Sequence, residues 1–326
     1  MTPTKRRFLP RAGKKRAGFA LLAVVWGTGL IAILVVAFMA NGRLRLQTAH
    51  NVASATQGGY IAEGAINLAT LTLLSKKDSS AALGAMPGVE AEVYDGAPRF
   101  CVLDGAAIAL SVEEENGKID LNAATPELIQ LALAGLGVEE GAARLIAKSI
   151  EAFRTAPNGI GQIRATPASD KPIDPKEGLF ETVMELDQVS GVSPALFRDL
   201  VPFVTVHSRS PGVDARTAPP ALFAALAGYP AQDVRNLMAQ PYPNAINRND
   251  PRFPANFKQP GDHGAYLIHA EALLATGQTV VKEAILDMRP ASGKPFAFKE
   301  MRRGQSRYVS QLRDMIATNG AGAPDC

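Results

Sequence analysis

Residues 19–40 decide the architecture of this chain, and they read FALLAVVWGTGLIAILVVAFMA. This run of 22 residues contains no charged side chain. An α-helix rises 1.5 Å per residue, so a helix of this length covers about 33 Å, which is enough to cross the hydrocarbon core of a bilayer. The run therefore predicts one membrane-spanning helix.

The charges around this run predict the orientation of the helix. The 326 residues include 34 basic and 31 acidic side chains, a net charge of +3. Residues 1–18 contain no acid and seven of the basic groups, namely Lys5, Arg6, Arg7, Arg11, Lys14, Lys15 and Arg16. Because basic residues stay on the cytoplasmic side of a span, we expect the bulk of the chain on the other side. That bulk is net acidic, which disfavours binding to nucleic acid.

Three kinds of N-terminal segment fit these features. A cleaved secretory signal is disfavoured, because its apolar core normally has about 7 to 15 residues and because Phe38 stands where a small residue should precede Ala40. A plain signal anchor remains open. A prepilin leader is the third, since the string RAGFALLAVVW changes abruptly from basic to apolar at Phe19.

This string resembles the leader of type IV prepilins, and more specifically the start of the K-type minor pseudopilins of type II secretion systems (general secretion pathway protein K family). The resemblance implies that a prepilin peptidase cuts after Gly18 and methylates Phe19. Most pilins carry Glu at the fifth mature position, which here is Ala23, and the K-type members lack it. A carboxylate in a bilayer costs about 3 kcal/mol unless it is paired. In this family the partner is expected on a neighbouring subunit, so a subunit with no neighbour above it has no use for the carboxylate.

The rest of the chain divides into four further regions after the leader of residues 1–18. Residues 19–74 are expected to form one long pilin-like helix, with a bend where Gly58 and Gly59 weaken it. Residues 75–118 begin with a polar break up to Pro87 and then contain two strands around Asp104-Gly105, which is a strong hairpin signal.

The other two regions are a helical domain and a return to the sheet. Residues 119–262 show helical periodicity with proline-rich loops, which predicts a large, mainly helical insert. Residues 263–326 contain three further elements, of which the last two are expected to be strands closing the sheet. The predicted fold class is thus α+β: a long helix packed on a small antiparallel sheet that a helical domain interrupts.

The insert contains an internal sequence repeat. Residues 119–134 read IDLNAATPELIQLALA and residues 213–228 read VDARTAPPALFAALAG, which align without gaps. Both predict a strand exit followed by a helix start, with Pro126 and Pro220 in the first turn and Thr125 as an N-cap.

Two other stretches of the insert, LALAGLGVEEGAARLIAKSIEAFR and LDQVSGVSPALFRDL, resemble helix-hairpin-helix units. The alternative function is therefore a membrane-anchored, competence-type DNA-binding protein. Glu139 and Glu140 sit where a phosphate would approach the hairpin of Gly135 and Gly137, and like charges repel. The acidic residues disfavour this alternative.

No catalytic motif is present: the sequence lacks G-x-S-x-G, H-E-x-x-H and the P-loop pattern. The acids of residues 113–115 end a strand and are expected to be solvated. Arg302 and Arg303 are expected to be exposed. The pattern predicts a protein that is not an enzyme.

Two weaker sites remain. K-type proteins are reported to bind calcium, and two oxygen-rich loops offer carboxylates for a structural ion; no other cofactor is expected. The calcium candidates are Asp170, Asp174, Glu177, Asp250 and Asp262. Cys101 and Cys326 are the two cysteines and could form a disulfide in an oxidising periplasm.

The resemblance implies a non-enzymatic minor pseudopilin at the tip of the type II secretion pseudopilus. Its implied partners are the I-type and J-type minor pseudopilins, the major pseudopilin, the inner-membrane secretion platform and the prepilin peptidase. It would cross the inner membrane once, with its N-terminus in the cytoplasm and its bulk in the periplasm. The function so implied is to prime pseudopilus assembly for secretion across the outer membrane.

Overall fold

The structure is a computed structural model that describes residues 17–83, 93–155, 176, 178–240, 246–261, 264–289, 294–319 and 324–326. The chain divides into two compact units, Met1–Ser54 and Ala55–Cys326. In chain order, the helices and strands are α1 (Ala17–Leu83), β1 (Arg99–Leu103), β2 (Ala106–Glu114), β3 (Ile119–Asp120), α2 (Pro126–Gly135), α3 (Glu140–Arg154), α4 (Pro194–Leu200), β4 (Val204–Thr205), α5 (Pro220–Leu226), α6 (Ala231–Met238), β5 (Ala265–Leu273), β6 (Thr279–Asp287), β7 (Ala297–Arg303) and α7 (Val309–Asn319).

Helix α1 is longer than the sequence predicted. It continues through residues 75–83, where a polar break was expected, so that expectation is wrong. Lysine, alanine and leucine in this stretch are good helix formers. The next helix breakers in the sequence are Gly84 and Pro87, so the local propensity supports the longer helix.

The second half of α1 packs on the sheet through a stripe of small and branched side chains. Its buried members are Ile61, Ala62, Ala65, Ile66, Ala69 and Leu73. The helix assignment is continuous through Gly58. A Cβ at Gly58 would lie 2.7 Å from Leu274 Cδ1 and 2.7 Å from Val280 Cγ2. This glycine therefore lets the helix approach the sheet closely.

Among the described residues, the main sheet has the strand order β1-β2-β5-β6-β7, and each pair of adjacent strands is antiparallel. The predicted hairpin is confirmed, because Leu103 pairs with Ala106 across a two-residue turn. Asp104 and Gly105 both have positive φ, 49° and 73°, as a type I′ turn requires. Strands β2 and β5 are neighbours in the sheet, so the helical insert lies between two adjacent strands.

The internal sequence repeat corresponds to two similar structural units. In each unit an aspartate carboxylate accepts a hydrogen bond from the amide two residues later: 2.7 Å from Asn122 N to Asp120 Oδ1, and 2.9 Å from Arg216 N to Asp214 Oδ1. The predicted helix starts at Pro126 and Pro220 are confirmed. The Thr125 hydroxyl accepts from Leu128 N, as predicted for an N-cap.

Each unit also ends its first helix on a glycine with positive φ, Gly137 at 96° and Gly228 at 71°. Glycine adopts this conformation without a steric penalty. The two first helices, α2 and α5, pack against each other, so the two units share the core of the insert.

An arginine from outside the repeat forms equivalent hydrogen bonds with each unit. Arg154 donates to the carbonyl oxygens of Leu121 at 2.6 Å and Ala124 at 2.7 Å. Arg248 donates to the carbonyl oxygens one and four residues after the second aspartate, those of Ala215 and Ala218. These bonds satisfy carbonyl oxygens of the turn that precedes each helix. The sequence alignment did not reveal the two arginines.

The closing region contains the two expected strands and also a helix that was not predicted. Strands β5, β6 and β7 are followed by helix α7. Leu312 and Met315 of α7 pack with Tyr308 on the sheet face opposite α1, against Ala107, Ala109 and Leu273. The sequence signal was present, because an apolar spacing of three and four residues in this stretch is helical.

Candidate functional site

The apolar segment, residues 19–40, lies within α1 and is exposed along its length. Phe19, Trp26 and Phe38 are 77%, 76% and 82% exposed. An exposed apolar surface of this extent marks a surface that binds lipid or protein. Among the described residues, one helix is long and apolar enough to cross a membrane, and this segment lies in it.

The predicted processing residues lie at the start of this segment. Gly18 and Phe19 are in the first turn of α1, and Ala23 follows one turn later. The Thr28 hydroxyl donates to the carbonyl oxygens of Val24 and Val25, each at 3.0 Å. Its polar group is thus satisfied within the helix, as an apolar environment requires.

Most calcium candidates lie outside the described residues: Asp170, Asp174, Glu177 and Asp262. The remaining candidate, Asp250, forms an ion pair with Arg252 at 2.6 Å and accepts a hydrogen bond from the Tyr229 hydroxyl at 2.7 Å. Its hydrogen bonds with Arg252 and Tyr229 lower the pKa of Asp250. Asp250 therefore fits a protein ion pair better than a metal ligand. Among the described residues, no group of three or more His, Cys, Asp or Glu could hold a metal ion.

The two cysteines form a disulfide in the structure. Cys101 of β1 is joined to Cys326 across 225 residues of sequence, with 5.0 Å between the Cα atoms. Residue 326 lies at the edge of the sheet, because Val102 N donates to Pro324 O at 2.8 Å and Cys326 N donates to Val102 O at 3.1 Å. The bond therefore fastens residues 324–326 to β1.

The helix-hairpin-helix resemblance does not produce a free anion site. Glu139 caps α3 with its own carboxylate, which accepts from Gly141 N and Ala142 N at 2.9 Å each. A phosphate would need those amides. The side chain that was expected to repel phosphate thus also occupies its place.

The sheet face opposite α1 carries charged side chains that the sequence analysis did not bring together. Along β5, Ile268 and Ala270 pack with α1, so the alternating His269 and Glu271 point to the other face. We name this group the ionic cluster, and its members are Glu113, Lys118, His269, Glu271, Glu283, Arg302 and Arg307.

Glu271 is the most buried member, with 0% exposure. One carboxylate oxygen accepts from the Ser306 hydroxyl, and the other accepts from Arg307 N at 2.8 Å and Tyr308 N at 3.0 Å. Burial alone would raise the pKa of Glu271, but His269 and these donors lower it to about 2. Glu271 therefore holds the segment that leads into α7.

Glu283 joins three elements. It accepts from Arg302 Nε at 3.1 Å and from Arg307 Nη2 at 3.2 Å, and it lies 3.1 Å from His269 Nδ1. Burial would raise the pKa of Glu283, and its partners lower it to about 2. Arg307 also donates to Glu113 at 3.2 Å, so the cluster connects β2, β5, β6, β7 and the start of α7.

The acids at the end of β2 correct another expectation. Residues 113–115 were expected to be a solvated run, but Glu114 and Glu115 are 1% and 2% exposed. Lys118 lies 3.0 Å from Glu113 and 2.7 Å from Glu115. A buried charge is tolerated when it is paired in this way. Arg302 was also expected to be exposed, and it is paired with Glu283 and Glu300.

His269 makes the cluster sensitive to pH. Burial acts to lower the pKa of His269, but its contacts with Glu271 and Glu283 outweigh burial and raise the pKa above 6.5. A raised pKa means that folding favours the protonated form, so its stabilisation is complete below pH 6.5 and is lost as the pH rises through the folded-state pKa.

We expect the free energy of unfolding of the full chain in detergent micelles to fall when the pH is raised above 6.5. His269→Gln should be less stable at pH 6 than the natural sequence and should lack this part of the pH dependence. Urea denaturation at several pH values measures both. His50→Gln, on an exposed helical position, is the control; an identical pH profile for His269→Gln and the natural sequence would contradict the prediction.

A comparison with solved structures supports this fold. No protein-family model matches the chain, and no curated protein matches it. A chain in the crystal structure of the GspK-GspI-GspJ complex from the type 2 secretion system of enterotoxigenic Escherichia coli is similar, with a TM-score of 0.53 and 16% identity. The match covers 81% of this chain and 100% of that chain. At this identity the similarity shows the fold alone: a pseudopilin-like α+β fold with a long N-terminal helix and an antiparallel sheet.

Proposed function

We propose that this protein is a non-enzymatic, K-type minor pseudopilin of a type II secretion system. The observation that carries the proposal is an exposed, uncharged segment of 22 residues on a helix that continues into a pseudopilin-like fold. The solved complex that contains the similar chain is composed of GspK, GspI and GspJ. The proposed partners are accordingly the I-type and J-type minor pseudopilins.

The apolar segment has two roles in this proposal. It anchors the protein once in the inner membrane, with the basic residues 1–18 on the cytoplasmic side. It also packs against the apolar helices of partner subunits during assembly. Ala23 brings no carboxylate into the bilayer, which suits a subunit with no neighbour above it.

The helical insert is the proposed tip of the assembly. It emerges between two adjacent strands and has its own core, formed around α2, α3 and α5. A body of this size would leave no room for a further subunit above it. Assembly would then start from this protein and its two partners and support secretion across the outer membrane. Calcium binding by the acidic loops is a separate proposal, for which Asp250 is a poor ligand because Arg252 occupies it.

Mass spectrometry of the mature N-terminus tests the class of protein. The full chain is produced with and without a prepilin peptidase. The expected product begins at Phe19 and carries one N-terminal methyl group, and only the sample with peptidase contains it. Gly18→Leu should remain uncut, whereas the control Ala17→Ser should be processed.

Co-purification with the I-type and J-type subunits tests the tip role. The processed protein should retain both partners after detergent extraction, and Leu34→Arg in the apolar segment should lose them together with membrane insertion. An uncut Met1 in the presence of peptidase, or a start near Asn41, would reject the prepilin class. Processing without retention of either partner would reject the K-type assignment.

A further inference from the structure

The two outer strands of the main sheet are protected in different ways. An outer strand presents unpaired N–H and C=O groups, which can pair with another chain. Strand β7 has a register irregularity opposite Ile285 and Leu286, and it exposes the cations Lys299 and Arg303. Bulges and cations of this kind are common protections of an outer strand.

Within its described residues, strand β1 has fewer of these protections, because its register with β2 is regular and its one cation is the exposed Arg99 at its first position. It reads RFCVL, with a single charge at Arg99. Its backbone pairs regularly with β2 from Arg99 to Leu103. Such a short apolar strand is a template for pairing when its outer side is open.

The outer side of β1 is covered by residues 324–326. Asp325 forms a parallel bridge with Val102, and the N–H and C=O of Val102 are bonded to Pro324 and Cys326. The cover is therefore an extended segment that uses the hydrogen-bonding groups a further strand would use. In the part of the chain that the structure describes, two main-chain hydrogen bonds join this segment to β1, and the disulfide to Cys101 adds the covalent attachment.

We propose that residues 324–326 and the Cys101–Cys326 disulfide form a strap that closes the β1 edge against pairing with a second copy of this chain. When the disulfide is absent, the strap leaves β1 because its two hydrogen bonds are exchanged for bonds with water. The exposed β1 strand then pairs with the β1 strand of a second copy across a two-fold axis, which gives a closed dimer. The closure of the β1 edge is independent of the function proposed above in type II secretion.

A second copy is the occupant that β1 fits. The outer strand carries little charge, so the like charges of two copies are not brought together at the centre of the pair. The β7 edge of another copy is a poor partner, because its irregular register and its cations disfavour pairing. Two β1 strands are thus the better match.

The test compares the full chain in detergent micelles with Cys101→Ser/Cys326→Ser, which has no thiol left for cross-linking. The protein mass is measured by light scattering after gel filtration at increasing protein concentration. We expect the natural sequence to keep one mass and the double variant to double its protein mass. Adding Val102→Pro to the double variant should restore the single mass, because proline removes the outer N–H of β1.

Hydrogen exchange of the β1 peptide is the second measurement. The Val102 amide should be protected in the natural sequence and should exchange faster in the double variant at low protein concentration, where β1 has neither strap nor partner. The proposal is overturned if the folded double variant keeps the single mass, if Val102→Pro fails to reduce its association, or if the double variant is unfolded, since the disulfide would then be a stabiliser of the fold.

Discussion

Gly135→Ala is expected to destabilise the helical insert by about 2 kcal/mol, the typical cost of overpacking a close contact, although alanine is the better helix former. Propensity alone would predict a gain of about 1 kcal/mol. The new Cβ would lie 2.4 Å from the carbonyl oxygen of Ala225 and 2.7 Å from its carbonyl carbon. Both atoms are main chain of α5, so no side-chain rotation relieves the contact, and α2 and α5 must move apart.

Urea denaturation followed by circular dichroism measures this loss, and limited proteolysis locates it in the insert. The matched control is Gly59→Ala, another glycine within a helix. Its nearest neighbours would be side-chain atoms of Lys282, at 3.7 Å and 3.9 Å, so this change should be neutral or stabilising. Equal effects of the two substitutions would show that the contact between α2 and α5 does not require glycine.

Glu271→Leu is expected to cost about 3 to 5 kcal/mol, because it breaks a buried ionic network by removing one partner. The Ser306 hydroxyl and the amides of Arg307 and Tyr308 would lose their acceptor. His269 would also lose one of its two carboxylates. The loss should appear first in α7, because these donors lie directly before it.

Hydrogen exchange of α7 distinguishes this local effect from general unfolding. In Glu271→Leu, the amides of α7 should lose protection before those of β2 and β5. Glu271→Gln keeps the shape and one acceptor oxygen and should cost less. The control Glu151→Gln changes an exposed acid of α3. If α7 exchanged at the natural rate in Glu271→Leu, the role assigned to Glu271 would be wrong.

Low pH should also destabilise the protein through the ionic cluster. The pKa values of Glu271 and Glu283 are lowered from 4.5 to about 2. Their stabilisation is therefore present above pH 4.5 and is lost as the pH falls through 2. In Glu271→Gln, the part of this acid sensitivity that belongs to Glu271 should disappear.

Several features of the fold were predictable because neighbouring residues determine them. Asp104-Gly105 has the conformational freedom that a two-residue hairpin turn needs. Pro126 and Thr125 fit the first turn and the cap of a helix. The extension of α1 and the presence of α7 were also encoded locally, by good helix formers in residues 75–83 and by apolar residues three and four apart in α7.

The ionic cluster could not be predicted in the same way. His269 and Glu271 are polar residues in an otherwise apolar strand, which was a signal of a special environment. Their partner Arg307 lies more than 30 residues away, and a sequence does not state which cation a buried acid will face. The same limit applied to Arg154 and Arg248, whose carbonyl partners lie 30 to 33 residues away.

Local sequence patterns are sufficient to predict the apolar segment, the hairpin, the helix starts of the insert and the α+β class. Each of these depends on the charge, spacing or backbone preference of residues that are close in the chain. The folded chain was needed to show that Cys326 is bonded to Cys101, that Gly135 contacts Ala225 and that Glu271 holds the segment before α7. These contacts join residues that are distant in the chain, and they form because packing and the pairing of buried charges act on the folded chain as a whole.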